Sequence, residues 1–538
     1  PKFFPKFNAG AAVAAAAAIG YGISELTKPP PPTPTTIVTT VPAPTTIVTT
    51  APPTTVVTTV PTPTTVVTTV TPPPTTPAKM PWDLIDWNKP KPMKERLLAD
   101  KYILPEGWEK ATEGVKEIVY INWGSMKGDI ATYIAMKNFE RKTGIKIKNI
   151  DITHAYVNEK QLALLTAKDP SVHSFYIGDA QYYLLQFLAG KWFEPVDFLW
   201  PPEVREIYPS SYVNSIYFDG HYWGTPHFTG VWILYYRPSW LEKAGISKVP
   251  ETWMELFEAA KICRKWAKKN LGEDYYGFVF PGGRETLYDL VAMTYSQGGR
   301  TMHEGKINLL TPEFTNAWLL LLKFIHEDVA DKACLTYTWT DAAEAFGAGK
   351  SAFILERTAY ISQYATQYPA IKGDWNATLP PKWSPEQPEK YHTSLMWNDM
   401  LGVNLFAEPH YKAATMLWHD FRRSFESLAP EVYVEGNEST LPAVYDQPER
   451  VIKEVIDWDL AKEAAKELMI PEPIIPSTLP FAEVRKKTIA NAVVELYPAG
   501  IGGQFANLLG EFFGKAGAKQ LDPLDALKML QSELNKFQ

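Results

Sequence analysis

From Glu117 onward the sequence alternates short apolar runs with longer amphipathic stretches. The run EIVYINW (Glu117–Trp123) is typical of a buried strand, because it is short and rich in β-branched residues. Residues 129–144 follow with apolar side chains at helical spacing and end at Gly144, where a helix C-cap belongs. Two further pairs of a predicted strand and a predicted helix repeat the pattern: IKIKNIDI with EKQLALLTAK, and SFYIGD with AQYYLLQFLAG. Strands that alternate with helices predict βαβ units and a parallel sheet.

The length and charge of the chain restrict its organisation and its partners. A chain of 538 residues is too long for one core, so two or three domains are expected. The formal net charge of −7 argues against a nucleic-acid partner, because such binding needs a basic surface. In parallel sheets, ligands bind beyond the carboxyl ends of the strands. Trp123 and Asp179 both follow predicted strands at such ends.

A Thr/Pro-rich repeat precedes this part of the chain. Units of TT[IV]VTT begin at Thr35, Thr45, Thr54 and Thr64. Proline lacks the amide donor of helices and sheets, while threonine and valine favour extended backbone. We therefore predict a stalk over residues 29–78, extended at about 3.1 Å per residue, of a composition typical of O-glycosylated stalks. A disordered linker between soluble domains is the alternative.

The first 28 residues resemble a secretory signal or signal anchor. Two lysines precede an Ala-rich apolar stretch that ends at Ile23. The stretch is short for a bilayer span, which takes roughly 20 residues. We predict a hydrophobic anchor helix over residues 1–28, which either spans the membrane at a tilt or packs with copies of itself. Residues 79–114 read as a collar or linker, and the whole arrangement predicts a location on the outer face of the cell membrane.

Several later blocks make the chain recognisable. The most specific is YWGTPHFTGVWILYYRPSWLEKAGISKVPETWMELFEAAK, and YGFVFPGG and AFGAGKSAFI follow it. Together with FERKTGIKIK and IGDAQYYLLQFLAGKWFEPVD, in this order, they resemble the extracellular solute-binding proteins of ABC transporters, specifically the maltose/trehalose-type sugar-binding group. The resemblance covers about residues 115–538. A stalk ahead of such a domain is similar to archaeal surface-tethered binding proteins.

The resemblance implies an α/β, two-lobed, maltose-binding-protein-like fold (the type II periplasmic-binding fold). About three crossover segments would form its hinge. The first lobe is expected over residues 115–228, with 352–402 returning to it. The second lobe is expected over residues 229–348, with 403–538 returning to it.

The resemblance also implies a function. Such a protein captures a sugar, here expected to be an oligosaccharide, between lobes that close over it, and delivers it to the ABC transporter permease. We predict no catalysis, no cofactor and no metal. Two alternatives remain open: a structural, filament-forming surface protein that displays the binding domain, and a receptor for peptides or polyols.

Sugar recognition needs flat aromatic side chains for the C–H faces of a pyranose, and carboxylates, Asn or Arg for its hydroxyls. Carrying the family pattern over by position gives the candidate ligand-binding residues Trp123, Asp179, Phe228, Trp232, Gly282, Gly283, Arg284, Trp339, Trp397, Asn398 and Asp399. Asp179 serves either as a hydroxyl-binding acid or as the N-cap of the next helix.

The chain departs from the family pattern at two places. Gly230 stands where the family commonly has an acid, and Trp232 is expected to fill the space. Leu395 and Met396 replace a glycine pair before Trp397. Both departures leave the identity of the substrate open.

Other chemistries receive little support from the sequence. A glycosidase needs two carboxylates about 5–10 Å apart, and nothing in the sequence sets the separations of Asp179, Glu356 and Asp399. The nine histidines are scattered, which disfavours a metal carrier. Cys263 and Cys334 are predicted as buried free thiols, with pairing left open.

Two Asn-x-Ser/Thr sequons are candidate N-glycosylation sites, at Asn376 and Asn437.

Overall fold

The computed structural model describes residues 79–152, 154–178, 180–473 and 481–538. The predicted anchor (1–28) and stalk (29–78) lie outside the described residues. No helix in the ranges given above is long and apolar enough to cross a membrane. The strands are β1 Glu117–Trp123, β2 Lys146–Ile152, β3 Ser174–Ile177, β4 Tyr217–Phe218, β5 His221–Tyr222, β6 Thr225–Tyr236, β7 Tyr276–Val279, β8 Met302–His303, β9 Lys306–Ile307, β10 Ser351–Arg357, β11 Asn376–Thr378 and β12 Met396–Val403.

Helices fill the connections between the strands. The helices before β10 are α1 Met93–Leu98, α2 Trp108–Ala111, α3 Ile130–Thr143, α4 His154–Thr166, α5 Ala180–Ala189, α6 Pro202–Arg205, α7 Ser210–Ser215, α8 Pro238–Lys243, α9 Trp253–Asn270, α10 Leu287–Ser296, α11 Pro312–His326 and α12 Trp339–Gly347. The helices after β10 are α13 Tyr360–Thr366, α14 Pro409–Arg422, α15 Phe425–Pro430, α16 Pro448–Arg450, α17 Trp458–Leu468, α18 Ala482–Asn491, α19 Gly502–Gly517 and α20 Pro523–Leu534.

Local signals explain where the helices begin and end. The side chain of Asp129 caps the amino end of α3, and Gly144 ends that helix with a left-handed φ of 72°. The predicted C-cap at Gly144 is confirmed. Thr252 and Glu255 form a reciprocal capping box at the start of α9.

One mixed sheet of eight strands runs through the molecule, in the order β2-β1-β3-β12-β6-β10-β7 with β11 paired to β6. The pairs β1–β2, β1–β3 and β10–β7 are parallel. The predicted parallel βαβ units are therefore confirmed. The central strands β6 and β12 run antiparallel to their neighbours β3 and β10 and to each other.

Two hydrophobic cores meet along the central strands. Val231 and Met396 belong to the first core, whereas the adjacent Trp232 and Leu395 belong to the second. Because Val231 is the register partner of Met396, both strands pass between the cores at the same place. Val493 bridges to Leu395 beside them, where the chain passes between the cores again. The implied two-lobed α/β fold with several crossover segments is confirmed.

The exact lobe boundaries stay a prediction. For two segments, the core in which their side chains pack is that of the other lobe from the one expected. Phe353 in β10 packs in the second core, although 352–402 was expected to return to the first lobe. Trp418 in α14 packs in the first core, although 403–538 was expected to return to the second lobe. Helix α14 packs on β1 and β12, which places it on the first-core side of the sheet.

The segment 79–114, predicted as a collar or linker, contributes buried side chains to the first core. The fully buried Arg96 donates to the carboxylate of Asp420 at 3.1 and 3.2 Å, and the Tyr102 hydroxyl donates to it at 2.5 Å. Burial acts to raise the pKa of Asp420, but Arg96 and Arg423 outweigh it, so this pKa lies below its ordinary value. The Tyr102 amide also donates to Glu426 at 2.7 Å.

We expect Arg96→Ala to lower the free energy of unfolding by about 3 kcal/mol, because it removes one partner of a fully buried ion pair. The matched control is Arg205→Ala, which removes an exposed arginine of the same region and should cost well under about 1 kcal/mol. Urea unfolding followed by circular dichroism measures both. Equal losses of unfolding free energy in the two variants would show that 79–114 is not an integral part of the first core.

Candidate ligand-binding site

Four residues of the central strands share one face of the sheet. In β6, Gly230 is paired with Trp397 of β12, and Trp232 is paired with Arg357 of β10. Directly opposite residues share a face, and so do residues two apart on one strand. A Cβ at Gly230 would lie 3.7 Å from Cβ of Trp397 and 3.8 Å from Cδ of Arg357. Trp397 and Arg357 therefore flank Gly230 closely, at the place where the two cores meet.

Three aromatic rings form the base of this face. Trp232 is buried, and its ring centroid lies 4.9 Å from that of Tyr288 and 6.4 Å from that of Trp397. Tyr288 and Trp397 are half-buried, with centroids 6.2 Å apart. The indole Nε1 of Trp397 donates to both carboxylate oxygens of Asp399, at 3.0 and 3.1 Å. The indole of Trp397 is therefore held in one orientation with part of its surface accessible.

Trp339 extends the face beyond Arg357. The guanidinium carbon of Arg357 lies 4.4 Å from the centroid of the half-buried Trp339 ring. Trp339 begins α12, and its backbone amide donates to the carboxylate of Glu285. Burial raises the pKa of Glu285. Trp397, Gly230, Arg357 and Trp339 therefore succeed one another along the face.

Two carboxyl groups are buried in the same part of the second core. Glu356 is 1% exposed and faces the other side of the sheet, opposite Ile233. Burial raises the pKa of Glu356 to about 7, against the opposing effect of the Arg357 charge. Burial raises the pKa of Asp289 well above its ordinary value, and the nearby Glu356 raises it further. Asp289 therefore favours the neutral form near physiological pH, and Glu356 is partly neutral there.

The first-core side of the junction holds a separate buried polar network. The carboxyls of Asp129, Glu431 and Glu435 each place an oxygen within 4.8 Å of the others. Each carboxyl already accepts a hydrogen bond from the protein, from Asn122, Arg422 and the backbone amide of Ala131 respectively. Burial raises the pKa of Glu431 to about 7. The hydrogen-bond donors named above, and protons on carboxyls with a raised pKa, account for the close approach of these three acids.

The structure brings several predicted residues together. Trp232, Trp339, Trp397 and Asp399 lie at the aromatic face described above. Arg284 is exposed in the turn that leads from Gly283 into α10, next to Glu285. The assignment of these residues to ligand binding stays a prediction.

Other predicted residues lie elsewhere or have other surroundings. Asn398 is fully buried and donates to the Ser215 hydroxyl at 2.8 Å, so its burial disfavours contact with a ligand. A Cβ at Gly282 would lie 2.0 Å from the carbonyl oxygen of Cys334, so this glycine is needed for close packing. Gly283 has a φ of 54°, which favours glycine for its backbone conformation.

Three predicted residues are not described fully. Trp123 ends β1 and Phe228 lies within β6, but their side chains lie outside what the structure describes. Asp179 lies outside the described residues altogether. Their predicted roles therefore stay predictions.

Sequence reasoning missed Arg357, Glu285 and Tyr288. Arg357 ends a predicted strand, SAFILE, and a charged residue at the carboxyl end of a parallel strand was the available signal. Glu285 and Tyr288 follow a Gly-Gly turn, and no pattern in the sequence separates them from ordinary surface residues.

The remaining predicted features have clear positions. Cys263 and Cys334 are free and buried, which confirms the predicted thiols, and burial raises the pKa of each to about 12. Asn376 is half-buried at the start of β11. The amide nitrogen of Asn437 donates to Glu435 at 2.7 Å, and Ser439 of the same sequon is buried. This geometry favours Asn376 over Asn437 as a glycan acceptor.

Comparison with known proteins identifies the family. The family model described as bacterial extracellular solute-binding protein matches residues 123–404, more than half of the chain. This chain belongs to that family. Membership implies a solute-binding receptor with an extracellular or periplasmic location.

A curated relative and several solved structures agree with this assignment. The chain is 22% identical over 275 residues to an uncharacterised ABC transporter extracellular-binding protein of Pyrococcus horikoshii. The match covers 49% of this chain and 59% of that relative, which is less than two thirds of its length.

The solved structures show the fold. Maltose-bound MalE3 of T. maritima has a TM-score of 0.59 and 21% identity, covering 78% of this chain and 100% of its own. The sugar-binding protein MalE of Xanthomonas citri has a TM-score of 0.61 and 15% identity, covering 78% and 96%. A ribitol-bound solute-binding protein of Agrobacterium radiobacter K84 has a TM-score of 0.55 and 19% identity, covering 79% and 100%.

We expect Glu356→Gln to flatten part of the pH dependence of stability. The pKa of this carboxyl is 4.5 when unperturbed and about 7 in the folded protein. Its contribution to stability is therefore complete below pH 4.5 and is lost as the pH rises through 7. Relative to the variant, the wild type should lose roughly 3 kcal/mol of unfolding free energy across this range.

Chemical denaturation at a series of pH values measures this difference, and the exposed Glu389→Gln is the control. If the unfolding free energies of the wild type and Glu356→Gln changed with pH in parallel, the raised pKa of Glu356 would be contradicted.

Proposed function

We propose that this protein captures a sugar between its two lobes, with an oligosaccharide as the expected ligand, and delivers it to the permease of an ABC transporter. The observation that carries the proposal is the aromatic face where the two cores meet. Trp397 and Trp339 border it, Gly230 places no side chain between them, and Arg357 supplies hydrogen-bond donors. Solved structures of the same fold contain maltose and ribitol, which supports this class of ligand.

The chemistry of the face suits a pyranose ring. The C–H faces of a sugar are apolar and pack on indole and phenol rings, while its hydroxyls need donors and acceptors around the rim. Trp397, Tyr288 and Trp339 provide half-buried rings. Asp399 is fully buried beside Trp397 and holds its indole in place, while Arg357 carries N–H donors at the rim. The two indoles lie on either side of Gly230 and Arg357, so each offers a separate surface to a ligand of more than one ring.

The proposed mechanism is closure of the lobes about the crossover segments. The chain passes between the cores at Val231–Trp232 and at Leu395–Met396, and the site residues Gly230 and Trp397 lie one residue from these points. A ligand that contacts both lobes binds the closed form more tightly and shifts the population toward it. The closed form is then the one that the permease recognises.

Within this proposal the protein is a receptor and not a glycosidase. Glu356, one of the carboxyls offered for catalysis, is buried on the opposite side of the sheet from Arg357 and Trp397. A glycosidase needs its carboxyl pair on either side of the scissile bond. We also propose that residues 1–28 tether the protein to the cell surface through the stalk, with assembly into filaments as a compatible alternative.

We expect at least one sugar to raise the melting temperature of the full-length protein by several degrees when present at about 100 times its Kd, since ligand bound only to the native state stabilises it by about 2.7 kcal/mol. The screen contains mono- to hexasaccharides, polyols and short peptides. Trp339→Ala should weaken sugar binding by about 2 kcal/mol, because it removes a stacking surface.

The control for this experiment is Trp266→Ala. Trp266 is also a half-buried tryptophan of the second core. It lies in α9 and packs on Trp240 of α8, away from the aromatic face. A shift with peptides alone would overturn the assignment to sugars while leaving the receptor assignment in place. Equal effects of the two substitutions would remove Trp339 from the site.

A further inference from the structure

The guanidinium of Arg357 is held in place without a hydrogen-bond partner. Within the described ranges its side-chain nitrogens donate no hydrogen bond, and its Nε lies 3.8 Å from the nearest oxygen of Glu356. The side chain remains 28% exposed. Buried arginines elsewhere, such as Arg264 and Arg485, donate to carboxylates at 2.9–3.3 Å. Arg357 therefore has unused donors at the aromatic face.

Stacking fixes where those donors are presented. The guanidinium lies over the Trp339 ring at 4.4 Å, and the aliphatic part of the side chain lies beside Gly230. Much of the rotamer entropy of Arg357 is thus already lost before a ligand arrives. A Cβ at Gly230 would make ordinary van der Waals contacts with Trp397 and Arg357, at 3.7 and 3.8 Å, so glycine leaves room for about one carbon atom between them. A sugar ring on Trp397 would direct a substituent across Gly230 to the guanidinium.

The acidic side chains near Arg357 compensate its positive charge only in part. Glu285 already accepts a hydrogen bond from the Trp339 amide. Glu356 faces the opposite side of the sheet, and its raised pKa of about 7 leaves it partly neutral at physiological pH. The exposed Arg284 adds a second positive charge close enough to act on Glu285. The end of the face around Arg357 and Arg284 therefore favours a negatively charged group, whereas the carboxyl of Asp399 lies at the other end, beside Trp397.

A planar carboxylate matches these properties best. The guanidinium presents parallel N–H donors whose spacing fits the two oxygens of a carboxylate, and such charge-assisted pairs are about twice as strong as neutral hydrogen bonds. A sugar hydroxyl offers a single oxygen and no charge. A hexuronic acid carries a carboxylate on a pyranose ring, so one ligand satisfies the aromatic surface and the guanidinium together.

We propose that the site selects acidic oligosaccharides, in which a hexuronic acid stacks on the aromatic face and its carboxylate is bound by Arg357. This inference rests on the proposed function, because it assigns a substrate class to the same site. It makes Arg357 the specificity-determining residue of the receptor.

Matched ligand pairs test the proposal. Di- to tetrasaccharides of galacturonate, glucuronate and mannuronate are compared with their carboxyl-reduced counterparts, which keep the same linkages and lengths but are neutral. Isothermal titration calorimetry with the full-length protein should show at least one uronate oligomer binding about 10- to 100-fold more tightly than its reduced form. Arg357→Gln should abolish this preference, while Arg357→Lys should keep part of it because the charge remains without the planar fork.

Arg300→Gln is the matched control. Arg300 is also exposed and also lies over an aromatic ring, that of Tyr295, at 5.4 Å, but it is not part of the aromatic face. This variant should keep the preference for uronates. The comparison between acidic and reduced ligands uses the wild-type protein alone, so it decides the proposal even if an Arg357 variant fails to fold.

The outcomes separate this inference from the proposed function. Equal or tighter binding of the reduced oligosaccharides would overturn the selectivity for acids and leave a neutral sugar receptor. A uronate preference that survives in a folded Arg357→Gln would overturn the role of Arg357. Binding of neither set would overturn this inference alone, because the sugar assignment is decided by the wider screen of saccharides, polyols and peptides.

Discussion

The pairing of β6 with β12 is the constraint on which the rest of the structure depends. Val231 packs in the first core and the next residue, Trp232, packs in the second. Met396 of β12, the register partner of Val231, also packs in the first core, and the adjacent Leu395 packs in the second. A shift of register by one residue would turn every side chain of β6 to the other face of the sheet. Both cores and the face between them therefore depend on the register that pairs Val231 with Met396 and Gly230 with Trp397.

The aromatic face results directly from this register. Gly230 and Trp232 lie on the same side of β6, so the pairing brings Trp397 and Arg357 to the same side as well. Trp232 is buried and supports the two more exposed rings beside it. The groups of the aromatic face are thus placed by the strands that join the cores, so their relative positions depend on how the two cores are held together.

Features with local causes were predictable from the sequence. The strand and helix pattern around β1 and α3 was correct, because apolar periodicity and the Gly144 C-cap act over a few residues. The order of family blocks predicted the two-lobed fold. Predictions about single residues succeeded less often. Asn398 and Asp399 are neighbours and both are fully buried, yet Asn398 donates to Ser215 while Asp399 accepts from the Trp397 indole, since successive residues of a strand face opposite sides.

Long-range packing explains the other differences. Residues 79–114 looked like a linker because their mixed, proline-rich sequence shows no clear periodicity, yet Arg96 meets Asp420 across 324 residues. Gly282 looked like a binding turn, but the approach of the Cys334 carbonyl explains why it is glycine. Neither contact could be read from the residues next to it.

The sequence by itself determined the class of fold, the extended character expected of the Thr/Pro-rich repeat and the supply of aromatic residues, because composition, periodicity and turn chemistry act locally. Only the tertiary structure decided which aromatics share a face, which carboxyls are buried with raised pKa, and that Arg357 donates no side-chain hydrogen bond to any described residue. The physical reason is that register and burial depend on contacts between strands far apart in the chain, and the same residue type acquires a different role from each such contact.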